Sequence, residues 1–398
     1  MGIREAYIIA ARRTALGRIG GLHRGRRIDA LTAPVVTAAL ADAGIDPDAI
    51  NCFALGNASE GGNPARLVAL ASGLPETVPS TTVDCQCGSG LEAILTAIRA
   101  IRLGEADVAV AGGAESLSTA PWRIMRPRSL YQTPHFMRYE PSMTDSVDEP
   151  QPFEASEAMA KRLDVSRKAQ DAWALQSFQR AEKARDERRF VGEIVPLRAN
   201  VEEARDQSAT TPDLEDFEDA VAFLPEDGTL TPANTSAMHD GAAIAIIVAD
   251  RVWERLGRPP ALRFVLGACQ GVPPGAEATA PLMAIEKLFA LAGSLGNGAS
   301  YSLDNLGVVE LSESSAAQAI AVQQSLGIAP EVINPDGGAI VRGHPLGASG
   351  AVLIARLFTG LVRNNTSTAN ALPHAPPTGL VAQGAIGGLG LSALFERA

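Results

Sequence analysis

The feature that most constrains the fold is an alternation of strand-like and helix-like patterns that occurs twice along the chain. In the first series, short runs of small and β-branched residues such as Ala6–Ala11 and Cys52–Gly56 alternate with amphipathic stretches. The second series begins at Ala261 and closes with a strand pair at Leu380–Ala385 and Gly390–Glu396. Such alternation predicts an α/β protein with right-handed crossovers and a largely parallel sheet.

The two series share a turn of glycine and serine before a helix. The first turn reads CGSGLEA at 87–93 and the second GASGAVL at 347–353. This similarity predicts an internal duplication with a functional site between the halves. Between about Ser118 and His239 the chain becomes more charged and less periodic, which we interpret as an inserted lid. The predicted division is 1–118 plus 240–262 for the N-terminal half, 119–239 for the insertion and 263–398 for the C-terminal half.

Charge and cysteine content exclude several classes of protein. The 398 residues include 34 Lys and Arg against 45 Asp and Glu, a net charge of −11, which argues against nucleic-acid and anionic-membrane binding. Four cysteines are too few for a disulfide scaffold, and neither zinc-ligand spacing nor a dinucleotide or P-loop motif is present. No uninterrupted apolar run approaches the roughly 18 residues of a membrane span. We therefore expect a cytoplasmic protein without a metal or redox cofactor.

Cys87 is the sharpest local signal for chemistry. It follows an apolar strand pattern at Thr81–Val83 and precedes the turn Gly88–Gly90, which leads into a helix. The N–H groups and the positive dipole end of a helix favour thiolate over thiol, so Cys87 is a candidate nucleophile. The alternative is a buried structural cysteine, which is the commoner fate of this residue.

His344 lies in an irregular loop of glycines and prolines that spans 334–350. Such a loop allows close approach of the backbone to a ligand. Histidine is also the natural base for a cysteine near neutral pH, so His344 is the candidate partner of Cys87. The alternative is a loop histidine whose ring is satisfied by its neighbours.

Together, these two segments resemble the motifs of the thiolase family. VDCQCGSGLEA at 83–93 resembles that family's nucleophile motif, and GGAIVRGHPLGASGA at 337–351 resembles its histidine motif. The resemblance extends along nearly the whole chain, including 4–21, 167–197 and 230–250. It implies the thiolase fold, an α/β fold in which two duplicated βαβαβαββ halves form a five-layered αβαβα arrangement with an inserted loop domain.

The resemblance also implies roles for individual residues. Cys87 would attack an acyl thioester and hold the acyl group, while His344 would activate Cys87 and help bind the thioester oxygen. The backbone N–H of Cys87 and one from Ile386 or Gly387 would form an oxyanion hole. Ser236 would face the pantetheine of coenzyme A. The implied substrate is an acyl-CoA, and the implied assembly is a homodimer or homotetramer.

Two positions depart from the thiolase motifs. The family's second cysteine, which acts as an acid and base, falls at Gly384, and a shift of one residue offers Gln383 or Ala385 instead. None of these three is an acid or a base. Ser312 stands where the family usually carries an asparagine that holds a water. Glu313 is retained and is expected to bridge to the histidine loop.

These departures limit the reaction. Forming a carbon–carbon bond requires removal of an α-proton, so we expect a specialised Claisen-type condensation or acyl transfer with weak ordinary thiolysis. Either another base is recruited, with Glu313, His135, His239 and His374 as candidates, or the nucleophile arises by decarboxylation or from an acidic substrate. The alternatives are a thioester hydrolase and a catalytically silent paralogue that binds CoA or a pathway partner protein.

Overall fold

The elements of the fold follow the sequence pattern closely. The computed structural model describes residues 2–127, 129–136, 152–198, 204–207, 212, 214–224, 227–273, 275–295, 301–364 and 378–398. Its strands are β1 (Ala6–Arg13), β2 (Gly17–Arg18), β3 (Cys52–Gly56), β4 (Ser80–Val83), β5 (Val108–Glu115), β6 (Ile124–Met125), β7 (His135–Phe136), β8 (His239–Ala249), β9 (Leu262–Gly271), β10 (Leu306–Leu311), β11 (Thr378–Ala385) and β12 (Leu389–Arg397). Its helices are α1 (Ile28–Ala43), α2 (Pro64–Ala71), α3 (Ser89–Leu103), α4 (Pro152–Arg162), α5 (Arg167–Asp186), α6 (Leu214–Glu218), α7 (Asp250–Arg255), α8 (Ala280–Ser294), α9 (Ala316–Leu326), α10 (Ala339–Arg342) and α11 (Ser349–Phe358).

The sheet is mixed, so the prediction of a largely parallel sheet is wrong. Its strand order is β10-β11-β12-β9-β1-β8-β5-β3-β4, with β2 paired to β8. The pairs β3–β4, β3–β5 and β10–β11 are parallel. β8 runs antiparallel to both β1 and β5, because the segment inserted after β5 returns the chain in the opposite direction. The turn after β11 adds the antiparallel hairpin β11–β12.

The helices and the sheet form five layers. Helices α1 and α2 cover the outer face of the N-terminal half of the sheet, and α8 and α9 cover the outer face of the C-terminal half. Helices α3 and α11 lie between the two halves in the largest apolar cluster. The two halves join where β1 pairs with β9. This is the layered arrangement expected for the thiolase fold.

The duplication is complete in the first half and reduced in the second. In the first half, β4 pairs in parallel with β3 at the edge of the sheet. At the equivalent place in the second half, Ile333 forms a single parallel bridge to Val309 of β10. The second copy therefore keeps the position of this strand and loses its length.

Two glycines allow the central helices to approach each other at their N-terminal ends. A Cβ on Gly90 would lie 2.6 Å from the carbonyl oxygen of Gly347, and a Cβ on Gly350 would lie 2.6 Å from the backbone nitrogen of Leu91. Any side chain at either glycine would therefore force the helices apart. This reciprocal contact brings the two glycine-and-serine turns of the duplicated chain together.

The apolar character of the central layer has a simple structural cause. Within the described ranges, the helical stretch Leu346–Arg363 is long and apolar enough to cross a membrane, but 89% of it is buried inside the protein. Arg356 lies within this stretch, so it is not an uninterrupted apolar run, in agreement with the sequence analysis. A helix packed between the two halves of the sheet is apolar on all sides, so this stretch is a core helix.

Candidate active site

Cys87 occupies a tightly held turn between β4 and α3. The hydroxyl of Ser89 accepts a hydrogen bond from the Cys85 N–H at 2.9 Å and donates one to the Gln86 carbonyl at 2.5 Å. Gln86 has a φ of 53°, which makes the turn sharp enough to enter the helix directly. Cys87 is 7% exposed. The turn thus presents the thiol at the start of α3, as the sequence predicts.

The charge state predicted for this thiol is wrong. Burial raises the pKa of Cys87 to about 11, and the backbone N–H groups of Ile386 and of Cys87 itself oppose this shift without overcoming it. The cost of removing a thiolate from water outweighs these two hydrogen bonds, and the charge of Glu115 raises the pKa further. At neutral pH the resting residue is therefore a thiol.

His344 is held by a short backbone ladder. Its N–H donates to the Ala237 carbonyl at 2.8 Å, and its carbonyl accepts from the His239 N–H at 3.1 Å. On the side chain, Nδ1 lies 2.9 Å from the Ser349 hydroxyl. Burial lowers the pKa of His344 to about 4, with a smaller contribution from His239. The ring is thus neutral at pH 7, with Nδ1 engaged by the Ser349 hydroxyl.

These two pKa shifts predict how the rate of Cys87 alkylation depends on pH. Because Cys87 and His344 rest as neutral groups, the rate of Cys87 alkylation by iodoacetamide should rise about tenfold per pH unit between about pH 7 and pH 10. The measurement is peptide-level mass spectrometry, with Cys87→Ser as the control. A rate that levels off between about pH 5 and pH 7 would instead indicate a thiolate–imidazolium pair and contradict the prediction.

Glu115 connects the histidine loop to the N-terminal half. Its buried carboxylate accepts hydrogen bonds from the N–H groups of Ala58 and Gly347, both at 3.0 Å, and from the Asn57 side chain at 2.8 Å. Burial raises the pKa of Glu115 to about 7. With the reciprocal glycine contact, this bridge explains how turns from opposite halves of the chain come together.

The loop between β11 and β12 supplies backbone donors. The backbone N–H groups of Ile386 and of Cys87 itself hydrogen-bond to the sulfur of Cys87 and lower its pKa. Gly387 and Gly388 follow with φ values of 87° and 77°, a conformation that favours glycine. Of the two loop residues predicted for an oxyanion hole, Ile386 therefore contacts the sulfur and Gly387 turns the chain.

Ser312 and Glu313 hold neighbouring loops. The Ser312 hydroxyl accepts a hydrogen bond from the Gly384 N–H at 3.2 Å. The Glu313 carboxylate accepts from Trp173 Nε1 at 2.7 Å, from the Ser177 hydroxyl at 3.0 Å and from the Ile340 N–H at 3.1 Å. The expected bridge from Glu313 to the histidine loop is thus present. Because donors occupy both of its oxygens, Glu313 acts as an anchor and not as a free base.

The position that faces the nucleophile turn is Ala385, which corrects the placement at Gly384. A Cβ on Gly384 would lie 3.1 Å from Pro281, on the side of the outer helix α8. The Ala385 Cβ lies 3.5 Å from where a Cβ on Gly88 would be, directly beside Cys87. Successive residues of a strand point to opposite faces, so a shift of one residue decides which of them reaches the site.

The remaining candidates have different surroundings. His239 is buried and its Nδ1 lies 2.9 Å from the Ala237 carbonyl, while its Nε2 has no hydrogen-bond partner among the described residues. Burial lowers the pKa of His239. Ser236 donates both its N–H and its hydroxyl to the Ser314 carbonyl, at 3.0 and 3.3 Å.

Two of the candidate bases, His135 and His374, lie elsewhere in the chain. His135 begins strand β7, and His374 lies outside the described residues. Glu115 contacts the site and could not be singled out from the sequence, because no motif marks a buried residue that acts through backbone contacts. The sequence indicates Gln383 only as an alternative position for the second cysteine and does not predict its contact with the Cys87 carbonyl.

Family models match both halves of the chain. Residues 6–251 match the model described as thiolase, N-terminal domain, and residues 260–379 match the model described as thiolase, C-terminal domain. Among curated relatives, "Putative acetyl-CoA C-acetyltransferase VraB" of Staphylococcus epidermidis is 34% identical, with 99% of each chain covered. The Staphylococcus aureus protein of the same name is also 34% identical, again with 99% of each chain covered.

Solved structures are similar over the full length. The Bacillus anthracis acetyl-CoA acetyltransferase superposes with a TM-score of 0.87 at 27% identity, covering 100% of both chains. Human mitochondrial 3-ketoacyl-CoA thiolase in complex with CoA also gives a TM-score of 0.87 at 27% identity, covering 99% of this chain and 98% of the human one.

Proposed function

Because the chain belongs to the thiolase family of acyltransferases, we propose that it transfers acyl groups from coenzyme A thioesters through a thioester on Cys87. The observation that carries the proposal is the meeting of three elements. The Cys87 turn packs against the His344 turn through Gly90 and Gly350, and the Ile386 N–H acts on the Cys87 sulfur. A nucleophile, a base and a backbone donor are the parts that acyl transfer to cysteine requires.

The first half-reaction uses the neutral pair directly. As the Cys87 sulfur attacks the thioester carbon, its proton passes to Nε2 of His344 and the carbonyl oxygen becomes an oxyanion. The N–H groups of Cys87 and Ile386 would stabilise this charge, a contribution of about 3–4 kcal/mol for a well-placed donor. The bond between carbon and the CoA sulfur then breaks, and the departing thiolate takes the proton from His344. Cys87 is left acylated and His344 neutral.

The second half-reaction is limited by Ala385, whose side chain is only a methyl group. Because this position offers no acid or base beside Cys87, an acceptor that must lose a proton relies on His344. General acid–base help is worth about 10²–10⁴-fold, so we infer weak ordinary thiolysis. The favoured acceptors are carbon nucleophiles formed by decarboxylation or from an acidic C–H, which leads to a Claisen-type condensation.

The test is acylation of the intact protein. Incubation with acetyl-CoA should add the mass of one acetyl group to the wild-type protein and to Cys269→Ala, in which an exposed cysteine is removed. Cys87→Ala should gain no mass. A folded wild-type protein that gains no mass from acyl-CoAs of several chain lengths would favour a CoA-binding scaffold. Steady release of free acid, without a longer acyl product, would favour a thioester hydrolase.

We also propose a cytoplasmic location and a homodimeric or homotetrameric assembly, as thiolase resemblance implies. Light scattering on the purified protein distinguishes these two assemblies from each other and from a monomer.

A further inference from the structure

Gln383 reaches the nucleophile turn from strand β11. Its side chain is fully buried, and Nε2 donates a hydrogen bond to the carbonyl oxygen of Cys87 at 2.6 Å. This carbonyl belongs to the residue that carries the thiol. The bond therefore fixes the peptide plane that follows Cys87, and with it the direction in which the chain enters α3.

The other end of the same amide lies against the histidine turn. A Cβ on Gly350 would be 2.5 Å from the Gln383 Oε1, so the backbone of this turn approaches the amide closely. Gly350 follows Ser349, whose hydroxyl contacts Nδ1 of His344. Gln383 thus touches the turns that carry the nucleophile and the base.

The amide of Gln383 is not fully satisfied by these contacts. Within the part of the chain that the structure describes, its buried Oε1 has no hydrogen-bond partner. A buried polar atom without a partner destabilises a fold. An apolar side chain of similar size would avoid this cost, so packing alone is a poor reason for glutamine here.

Gln383 also shares its strand with the backbone donor. Strand β11 ends at Ala385, and the next residue is Ile386, whose N–H acts on the Cys87 sulfur. We propose that Gln383 is a positioning residue, which holds the Cys87 turn in register with His344 and with the N–H of Ile386. The part of this inference that concerns acyl transfer rests on the proposed function, whereas the part that concerns the thiol does not.

Gln383→Met tests the proposal, because methionine keeps the length of the side chain and removes its amide. We expect the maximal rate of Cys87 acetylation to fall about tenfold, the effect of losing one hydrogen bond that orients the nucleophile, with little change in the acetyl-CoA concentration at half-maximal rate. Iodoacetamide alkylation of Cys87 should also slow. The matched control is Gln323→Met, which removes a side-chain amide that donates to the Ile328 carbonyl at 2.9 Å. It should leave both rates unchanged.

Gln383→Glu provides a signature that a purely structural role would not give. A protonated carboxyl can donate to the Cys87 carbonyl, whereas an ionised one cannot. The ratio of the Gln383→Glu acetylation rate to the wild-type rate at the same pH should therefore be near one at low pH. This ratio should fall as pH rises.

The outcomes separate the two proposals. Slower alkylation in Gln383→Met, in a protein that acetyl-CoA does not acylate, would support the positioning role and contradict the proposed function. Wild-type rates of acetylation and alkylation in a folded Gln383→Met would overturn the positioning role, and so would an equal loss in Gln323→Met.

Discussion

His344→Ala is expected to slow acetylation of Cys87 by about 10²–10⁴-fold at pH 7, the usual effect of losing a general base. The reason lies in the resting state of the thiol. Burial raises the pKa of Cys87 to about 11, so at neutral pH the sulfur keeps its proton until another group accepts it. The His344 ring, whose pKa is lowered to about 4, is neutral and ready to do so. Quenched-flow mixing followed by intact-protein mass spectrometry measures this rate.

The pH dependence of the defect identifies its cause. As pH rises toward the pKa of Cys87, hydroxide removes the proton directly, and the wild-type and His344→Ala rates should converge. Thermal unfolding of the variant serves as the control for folding. A folded His344→Ala protein that acetylates within about tenfold of wild type at pH 7 would show that another group is the base. His239→Gln would then be the next variant to examine.

Arg356→Met is expected to destabilise the protein by about 3–5 kcal/mol, the usual effect of breaking a buried ion pair from one side. Arg356 is fully buried in α11, where its guanidinium pairs with Glu193 and Asp336. Glu193 also pairs with Arg13 of β1 at 2.6 Å. This ionic chain joins the central helix to the N-terminal half and to the inserted segment. Its removal should appear as a lower free energy of unfolding in urea.

The sign of the pH effect follows from Glu193. Burial acts to raise its pKa, but the charges of Arg356 and Arg13 outweigh burial and lower it from 4.5 to about 2. A carboxylate with a lowered folded-state pKa stabilises the fold above its unfolded value, and loses that contribution as pH falls toward the folded value. The destabilisation by Arg356→Met should therefore be largest above about pH 4.5 and shrink between there and about pH 2.

The control for this prediction is an arginine in an exposed pair. Arg258 contacts Glu254 at 2.7 Å on the surface, and Arg258→Met should change the free energy of unfolding by less than about 1 kcal/mol. Equal effects of the two substitutions would show that the buried chain contributes no more than a surface pair.

Much of the fold could be predicted because the information was local. Strand β3 was predicted with the bounds that the structure shows, and the helix after Cys87 was predicted to within two residues of its start. Apolar periodicity and turn residues determine such elements within a short window. The direction of β8 could not be read in this way, since it depends on how the inserted segment returns the chain to the sheet.

The candidate site divides along the same line. Cys87 and His344 could be singled out because their turns are unusual in composition, and the Glu313 bridge followed from a motif. The protonation state of Cys87 could not be predicted from the sequence, because it depends on burial by residues that are distant along the chain. The choice between Gly384 and Ala385 depends on which face of β11 meets the central helices, and that is a property of the packed sheet.

The reciprocal contact of Gly90 and Gly350 makes reactivity conditional on a finished chain. A ribosome releases the segment with Cys87 long before the one with His344, and N-terminal units commonly begin to fold first. Until α11 is synthesised and packs against α3, the turn that carries His344 is absent from the Cys87 turn. The loop with Ile386 is synthesised later still. The packed arrangement around Cys87 is therefore expected to form only after the C-terminal half of the chain has been synthesised and has folded.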